Sequence, residues 1–94
     1  MAKRHKTLET LTERAERRGY AGNDKWYVEY EEKNNTYKYY HWGTLVLHIE
    51  NGRMEYYYGI SRSDADGLNA MCEYHGINAY FTHRPVNGGF MKIA

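Results

Sequence analysis

The dipeptide Asn51-Gly52 separates two runs, residues 45–50 and 53–58, whose apolar and polar side chains alternate. Asn-Gly readily supplies the two consecutive positive φ angles of a type I′ turn, and that turn's twist matches a pair of antiparallel strands. The sequence therefore predicts a hairpin that pairs Glu50 with Arg53, Ile49 with Met54, His48 with Glu55, Leu47 with Tyr56, Val46 with Tyr57 and Leu45 with Tyr58. Because strand side chains point alternately to opposite faces, this register gathers Leu45, Leu47, Ile49, Met54, Tyr56 and Tyr58 on one buried side.

Asn34-Asn35 marks a second, weaker turn. Built the same way, it sets Glu31 against Lys38, Tyr30 against Tyr39, Glu29 against Tyr40, Val28 against His41 and Tyr27 against Trp42. Read as one long strand bent at Gly43, residues 36–50 keep their odd positions inward, and Trp26, Val28 and Tyr30 join them. The expectation is a three-stranded antiparallel meander. Its Tyr, Trp, Val and Thr suit a pleated, half-buried surface.

Flanking segments change period. Leu8, Leu11 and Ala15 recur at helical spacing, Thr10 and Glu13 have the spacing of a capping box, and Gly19 follows Arg17-Arg18, so a helix is expected over residues 7–18. Its narrow apolar stripe puts it at the domain edge, after a mobile basic segment, residues 1–6. A second helix is expected to begin with Ser63 as N-cap and to carry Ala65, Leu68, Met71 and Cys72 on one side. It should end at a left-handed Gly76, with Ile77 folding back in a Schellman cap. Residues 79–84 and 90–93 suggest a last hairpin around Asn87-Gly88-Gly89, with Pro85 fitting an edge strand. The fold class is α+β, in the order α-β-β-β-α-β-β, as one small domain with the C-terminal hairpin extending the meander or standing apart.

Ninety-four residues leave little core for a deep enclosed active site, and 11 Tyr must supply part of the packing. The formal net charge of +1 excludes both a strongly basic nucleic-acid binder and an acidic mimic of DNA. The charge is uneven, however. Lys3, Arg4, Lys6, Arg14, Arg17 and Arg18 outnumber the three acidic residues of the first 22 positions. That segment is either a solvated helix face or an arm for phosphate or an acidic partner. The single cysteine, Cys72, cannot form an internal disulfide, and no apolar run has the length of a membrane span or signal core. A cytoplasmic location is expected.

Catalytic and metal chemistry find no pattern. His41, His48, His75 and His83 lack the close spacing of a metal site, and His48 is expected to face Glu55 across the hairpin. Asp64, Asp66 and Gly67 overlay part of a calcium loop, but its first ligand falls on Arg62. Ser61, Ser63 and Cys72 carry no nucleophile signature. No cofactor, metal or enzyme activity is expected. The feature left over is the even-numbered face of the meander, where Tyr27, Tyr40, Trp42, Val46 and Tyr57 form an aromatic surface rimmed by Glu29, Glu31, Lys38 and Glu55. It is either covered by the first helix or the last hairpin, or open as a protein-binding surface. The expected partner-binding residues are Tyr27, Tyr40, Trp42, Tyr57 and Lys38.

In length, in its hairpins crowded with Tyr and Trp, and in the stretch from Tyr58-Gly59-Ile60-Ser61-Arg62-Ser63-Asp64 to Leu68-Asn69, the chain resembles small accessory proteins of bacteriophages and mobile elements. Anti-CRISPR inhibitors are among these. The resemblance implies a single non-enzymatic domain that binds and inhibits a host protein or ribonucleoprotein complex. The alternatives are a regulatory protein contacting nucleic acid through its basic N-terminal helix, and a structural or assembly component of the phage particle.

Overall fold

The computed structural model describes residues 4–86 and 89–92, with side chains placed for residues 4–82. The chain runs α1 (Lys6–Arg18), β1 (Tyr20–Gly22), β2 (Trp26–Glu31), β3 (Thr36–His41), β4 (Thr44–Glu50), β5 (Arg53–Tyr57), α2 (Arg62–Tyr74), β6 (Phe81–Val86) and β7 (Gly89–Lys92). Strands β1 to β5 form one antiparallel meander in chain order, and β6 pairs with β7 in a separate two-stranded sheet. The class is α+β as expected, but the meander has five strands where three were expected.

Two of those strands come from one missed turn. Trp42 and Gly43 both have positive φ, 51° and 79°, so residues 36–50 fold back as the β3–β4 hairpin instead of bending once at Gly43. Asn51 and Gly52, at 52° and 79°, make the expected turn. Four residues, 32–35, link β2 to β3, and this register is displaced by two from the expected one: Tyr30 lies opposite Tyr37, Val28 opposite Tyr39 and Trp26 opposite His41. A displacement of two preserves parity, so Trp26, Val28, Tyr30, Tyr37, Tyr39 and His41 still share a face.

Two bulges do alter parity. Tyr39 pairs with Leu47 but Tyr40 with Leu45, so Val46 is the extra residue on β4. His48 pairs with Tyr56 and Ile49 with Met54, so Glu55 is extra on β5. Val46 consequently enters the core beside Leu47, at 2% and 1% exposure. Tyr57 turns to the helix side, opposite Leu47, while Tyr56 turns outward opposite His48. The expected His48–Glu55 contact is absent, since Glu55 instead approaches Arg53 and His48 approaches Glu50.

Both helices pack on the face carrying Val28, Tyr37, Tyr39, Leu47 and Ile49, against which Leu8, Leu11, Ala15, Ala65, Leu68, Met71 and Cys72 form the core. The caps differ from expectation. His5 caps α1, its Nδ1 accepting from the Leu8 amide at 3.2 Å, whereas Thr10 and Glu13 lie within the helix. Ser61, not Ser63, caps α2 through a reciprocal capping box with Asp64. The C-terminal end of α2 matches its signal: Gly76 has φ 74°, and the Gly76 and Ile77 amides donate to the carbonyls of Glu73 and Cys72, completing a Schellman motif. The turn expected at Asn87-Gly88 and the end of the last strand at Ile93 lie outside the described residues.

Candidate functional site

Among the described residues no helix packs on the sheet's second face. Its register sets out three rows across the strands. The first runs Gly22, Tyr27, Tyr40, Leu45; the second Tyr20, Glu29, Lys38, His48, Tyr56; the third Glu31, Thr36, Glu50, Arg53. Tyr20, Tyr27 and Tyr56 are 52%, 38% and 44% exposed, so the face is open. Tyr20 and Tyr27 have ring centroids 6.4 Å apart, and Tyr27 and Tyr40 5.9 Å. Together they make a continuous aromatic edge. The Tyr40 hydroxyl donates to Glu29 at 3.3 Å, and burial together with that carboxylate raises its pKa. A shallow cleft of about 420 Å³ lies over Tyr20, Tyr27, Glu29, Glu31, Thr36 and Lys38.

Two polar atoms on this face are buried without a hydrogen-bond partner, Thr36 Oγ1 and His48 Nε2. His48 Nε2 lies 3.4 Å from a Glu50 oxygen, yet outside hydrogen-bond geometry. Buried polar groups are normally satisfied. The two strands that hold these groups are adjacent, and Lys38, two residues beyond Thr36 on β3, lies directly opposite His48.

Of the expected partner-binding residues, Tyr27, Tyr40 and Lys38 meet on the open face. Tyr57 does not, because the Glu55 bulge turns it to the helix side, where its ring lies 4.9 Å from buried Phe81. Val46 is core. Trp42 leaves the sheet face altogether and stands 65% exposed in the β3–β4 turn. The face also carries Tyr20, Leu45 and Tyr56, which the sequence pattern does not place there, and His48, which it does. Gly19, a left-handed helix stop at φ 94°, was the available signal that Tyr20 begins a new element.

Trp42 belongs to a second cluster, where the β3–β4 turn meets the start of α2. His41 stacks on Trp26 at 3.9 Å with 10° between the rings, and its Nδ1 lies 2.5 Å from Asp64 Oδ1. The other carboxylate oxygen accepts from the amides of Ile60 and Ser61 at 3.1 and 3.2 Å. Burial pushes the Asp64 carboxyl up, but His41 and those donors outweigh it and hold the pKa below its usual value. On the far side of the core, His75 Nε2 meets the Tyr39 hydroxyl at 2.8 Å, and burial lowers its pKa to about 4.

The basic N-terminal segment is partly engaged. Arg4 forms a bidentate pair with Glu9, and Arg18 donates to the Tyr20 carbonyl with its guanidinium 5.1 Å from that ring, at the margin of the open face. Lys6, Arg14 and Arg17 are exposed on α1. Lys3 and the side chain of His83 lie outside the described residues. Among the described residues no group of three His, Cys, Asp or Glu is placed to hold a metal ion, and no helix is long and apolar enough to cross a membrane. Compared with known proteins, the chain matches no family model, no curated protein and no solved structure.

Proposed function

We propose that this chain is a non-catalytic binding domain that docks a protein partner on the open face of its five-stranded sheet. The observation that carries the reading is the uncovered aromatic edge Tyr20–Tyr27–Tyr40 beside the row Glu29–Lys38–His48–Tyr56. Tyrosines provide large contact area with few rotors to freeze. The charges between them are mixed, with Glu29, Glu31 and Glu50 interleaved with Lys38 and Arg53. Mixed signs suit a protein surface and oppose a nucleic-acid backbone, which needs a basic groove. The resemblance to phage accessory proteins adds the narrower proposal that the partner is a host protein or ribonucleoprotein whose action is blocked, as by an anti-CRISPR factor.

The test is affinity capture from nuclease-treated bacterial lysate, comparing the native chain with Tyr27→Ala/Tyr56→Ala and with Tyr57→Ala. A stoichiometric protein should be retained by the native chain and by Tyr57→Ala and lost by the double variant, while all three remain folded by their melting curves. Capture that ignores the double variant, or that vanishes with nuclease, refutes the reading.

A further inference from the structure

Beside its aromatic edge, the open face holds two carboxylates that no cation of the fold pairs with. Glu29 and Glu31 alternate along β2 and stand on the same side, Glu29 between Tyr20 and Lys38 and Glu31 opposite Thr36. Glu29 Oε1 accepts from the Tyr40 hydroxyl at 3.3 Å, and Glu31 Oε1 from the side-chain amide of Asn34 at 3.5 Å. Among the described residues neither carboxylate has an ion-pair partner, and neither Oε2 receives a hydrogen bond. Both line the shallow cleft of about 420 Å³ together with the exposed Tyr20 and Tyr27. Lys38 is the one lysine or arginine among the described lining residues, and although it lies directly across from Glu29 it makes no ion pair with it. Two carboxylates therefore meet one ammonium in this cleft.

The aromatic edge already takes one cation from its own chain. The Arg18 guanidinium lies 5.1 Å from the centroid of the Tyr20 ring, held there by its Nε donating to the Tyr20 carbonyl at 3.1 Å. A tyrosine face attracts cations through the quadrupole of its ring. The neighbouring Tyr27 ring, 6.4 Å from Tyr20 and inclined by 30° to it, borders the cleft and has no cation over it among the described residues.

Given the docking of a protein on this face, on which the inference rests, we propose that the partner inserts an arginine side chain into the cleft, its guanidinium lying on Tyr27 and donating to Glu29 and Glu31. A guanidinium fits better than an ammonium: it is planar, more weakly hydrated, and offers forked donors to carboxylates while stacking on an aromatic ring. An anion is a poor fit, because the carboxylates outnumber the ammonium. An apolar side chain is also a poor fit, because it would strip water from both carboxylates and return no hydrogen bond.

The probes are N-acetyl-Gly-Arg-Gly-amide and its lysine and citrulline counterparts. Citrulline keeps the planar shape without the charge, and lysine keeps the charge without the plane. Each is titrated into the full chain at low ionic strength and followed by the backbone amide shifts in NMR. The arginine peptide should give saturable shifts centred on Tyr20, Tyr27, Glu29 and Glu31, and should bind about tenfold tighter than the citrulline peptide and about threefold tighter than the lysine peptide. Added salt should shrink its advantage over citrulline. Glu29→Gln/Glu31→Gln, which keeps the side-chain shape and the acceptor for Tyr40, should bring the arginine peptide down to the citrulline level. If that variant does not fold, Tyr27→Ala carries the test and should weaken the arginine peptide by about threefold. Non-saturable shifts, citrulline or lysine binding as tightly as arginine, or a preference that survives Glu29→Gln/Glu31→Gln overturns the arginine assignment, even where lysate capture is lost with Tyr27→Ala/Tyr56→Ala and docking on the face stands. Capture that ignores Tyr27→Ala/Tyr56→Ala refutes the docking itself, and with it the partner's arginine.

Discussion

Gly67 lies inside α2, where alanine would ordinarily be favoured by about 1 kcal/mol. The expectation here is the opposite. A methyl group built on Gly67 would stand 2.5 Å from Cη2 and 2.9 Å from Cζ2 of Trp26, and 3.3 Å from a Leu8 methyl. Comfortable carbon contacts lie near 3.5–4.0 Å, so the indole must retreat by about 1 Å. It has little room to do so. Trp26 is 5% exposed, stacked on His41 at 3.9 Å and met edge-on by His5 at 5.6 Å. Overpacking of this kind costs about 1–3 kcal/mol, and against the helix gain Gly67→Ala should lose about 0–2 kcal/mol net. For a domain this size that lowers Tm by up to roughly 16 °C. A double-mutant cycle isolates the cause. In a Trp26→Phe background, which removes the two crowding ring atoms, Gly67→Ala should become neutral or stabilising, with coupling above about 0.5 kcal/mol. A raised Tm for Gly67→Ala alone, or an additive cycle, refutes the reasoning.

Other perturbations follow from burial and charge. Leu47→Ala should destabilise by about 2–5 kcal/mol in denaturant unfolding through a core cavity, whereas Tyr56→Ala on the open face should change stability by less than about 0.5 kcal/mol. His75 has a folded pKa depressed from 6.5 to about 4; the unfolded chain therefore takes up its proton first, and stability should fall as pH drops from 6.5 toward 4. In His75→Gln that slope should flatten in a pH series of melting curves, leaving a residue from His5, whose pKa burial also lowers; the Asp64 contribution is lost only at lower pH, below its ordinary 3.8. Any nucleic-acid contact should run through Lys6, Arg14 and Arg17, be indifferent to sequence and weaken steeply with salt in an anisotropy titration. Tight sequence-selective binding at high salt would contradict that assignment.

Where local chemistry alone sets geometry, the sequence was readable. Asn51-Gly52 turned where it should, Gly76 ended α2 with Ile77 behind it, and the α+β class followed from the change of hydrophobic period. The failures have physical causes. Tryptophan is a poor occupant of a positive-φ turn position, so Trp42-Gly43 gave no turn signal and two strands read as one. Strand β1, with three residues, is too short to show a period. At the start of α2 the spacing of a serine three residues before an aspartate occurs twice, as Ser61/Asp64 and Ser63/Asp66. Local sequence does not choose between them. The structure holds Asp64 against His41 of β3, a contact 23 positions away that favours the first pair.

The same limit governs the candidate site, because a parity argument survives only until one strand gains a residue. Beyond the extra Glu55, every side chain of β5 changes sides relative to β4, so the face assigned to Tyr57 belongs to Tyr56. Beyond the extra Val46, Leu45 comes opposite Tyr40 and lengthens the aromatic row, while Val46 itself fills the core. The bulges that defeat the alternating pattern thus help to compose the open face. They remove Val46 and Tyr57 from it, add Leu45 and Tyr56, and leave His48 aligned between Lys38 and Tyr56. A bulge costs regular pairing, and here both lie in strand pairs that form the second half of this face, which argues that the arrangement of its side chains, and not the pairing alone, is what the sequence specifies.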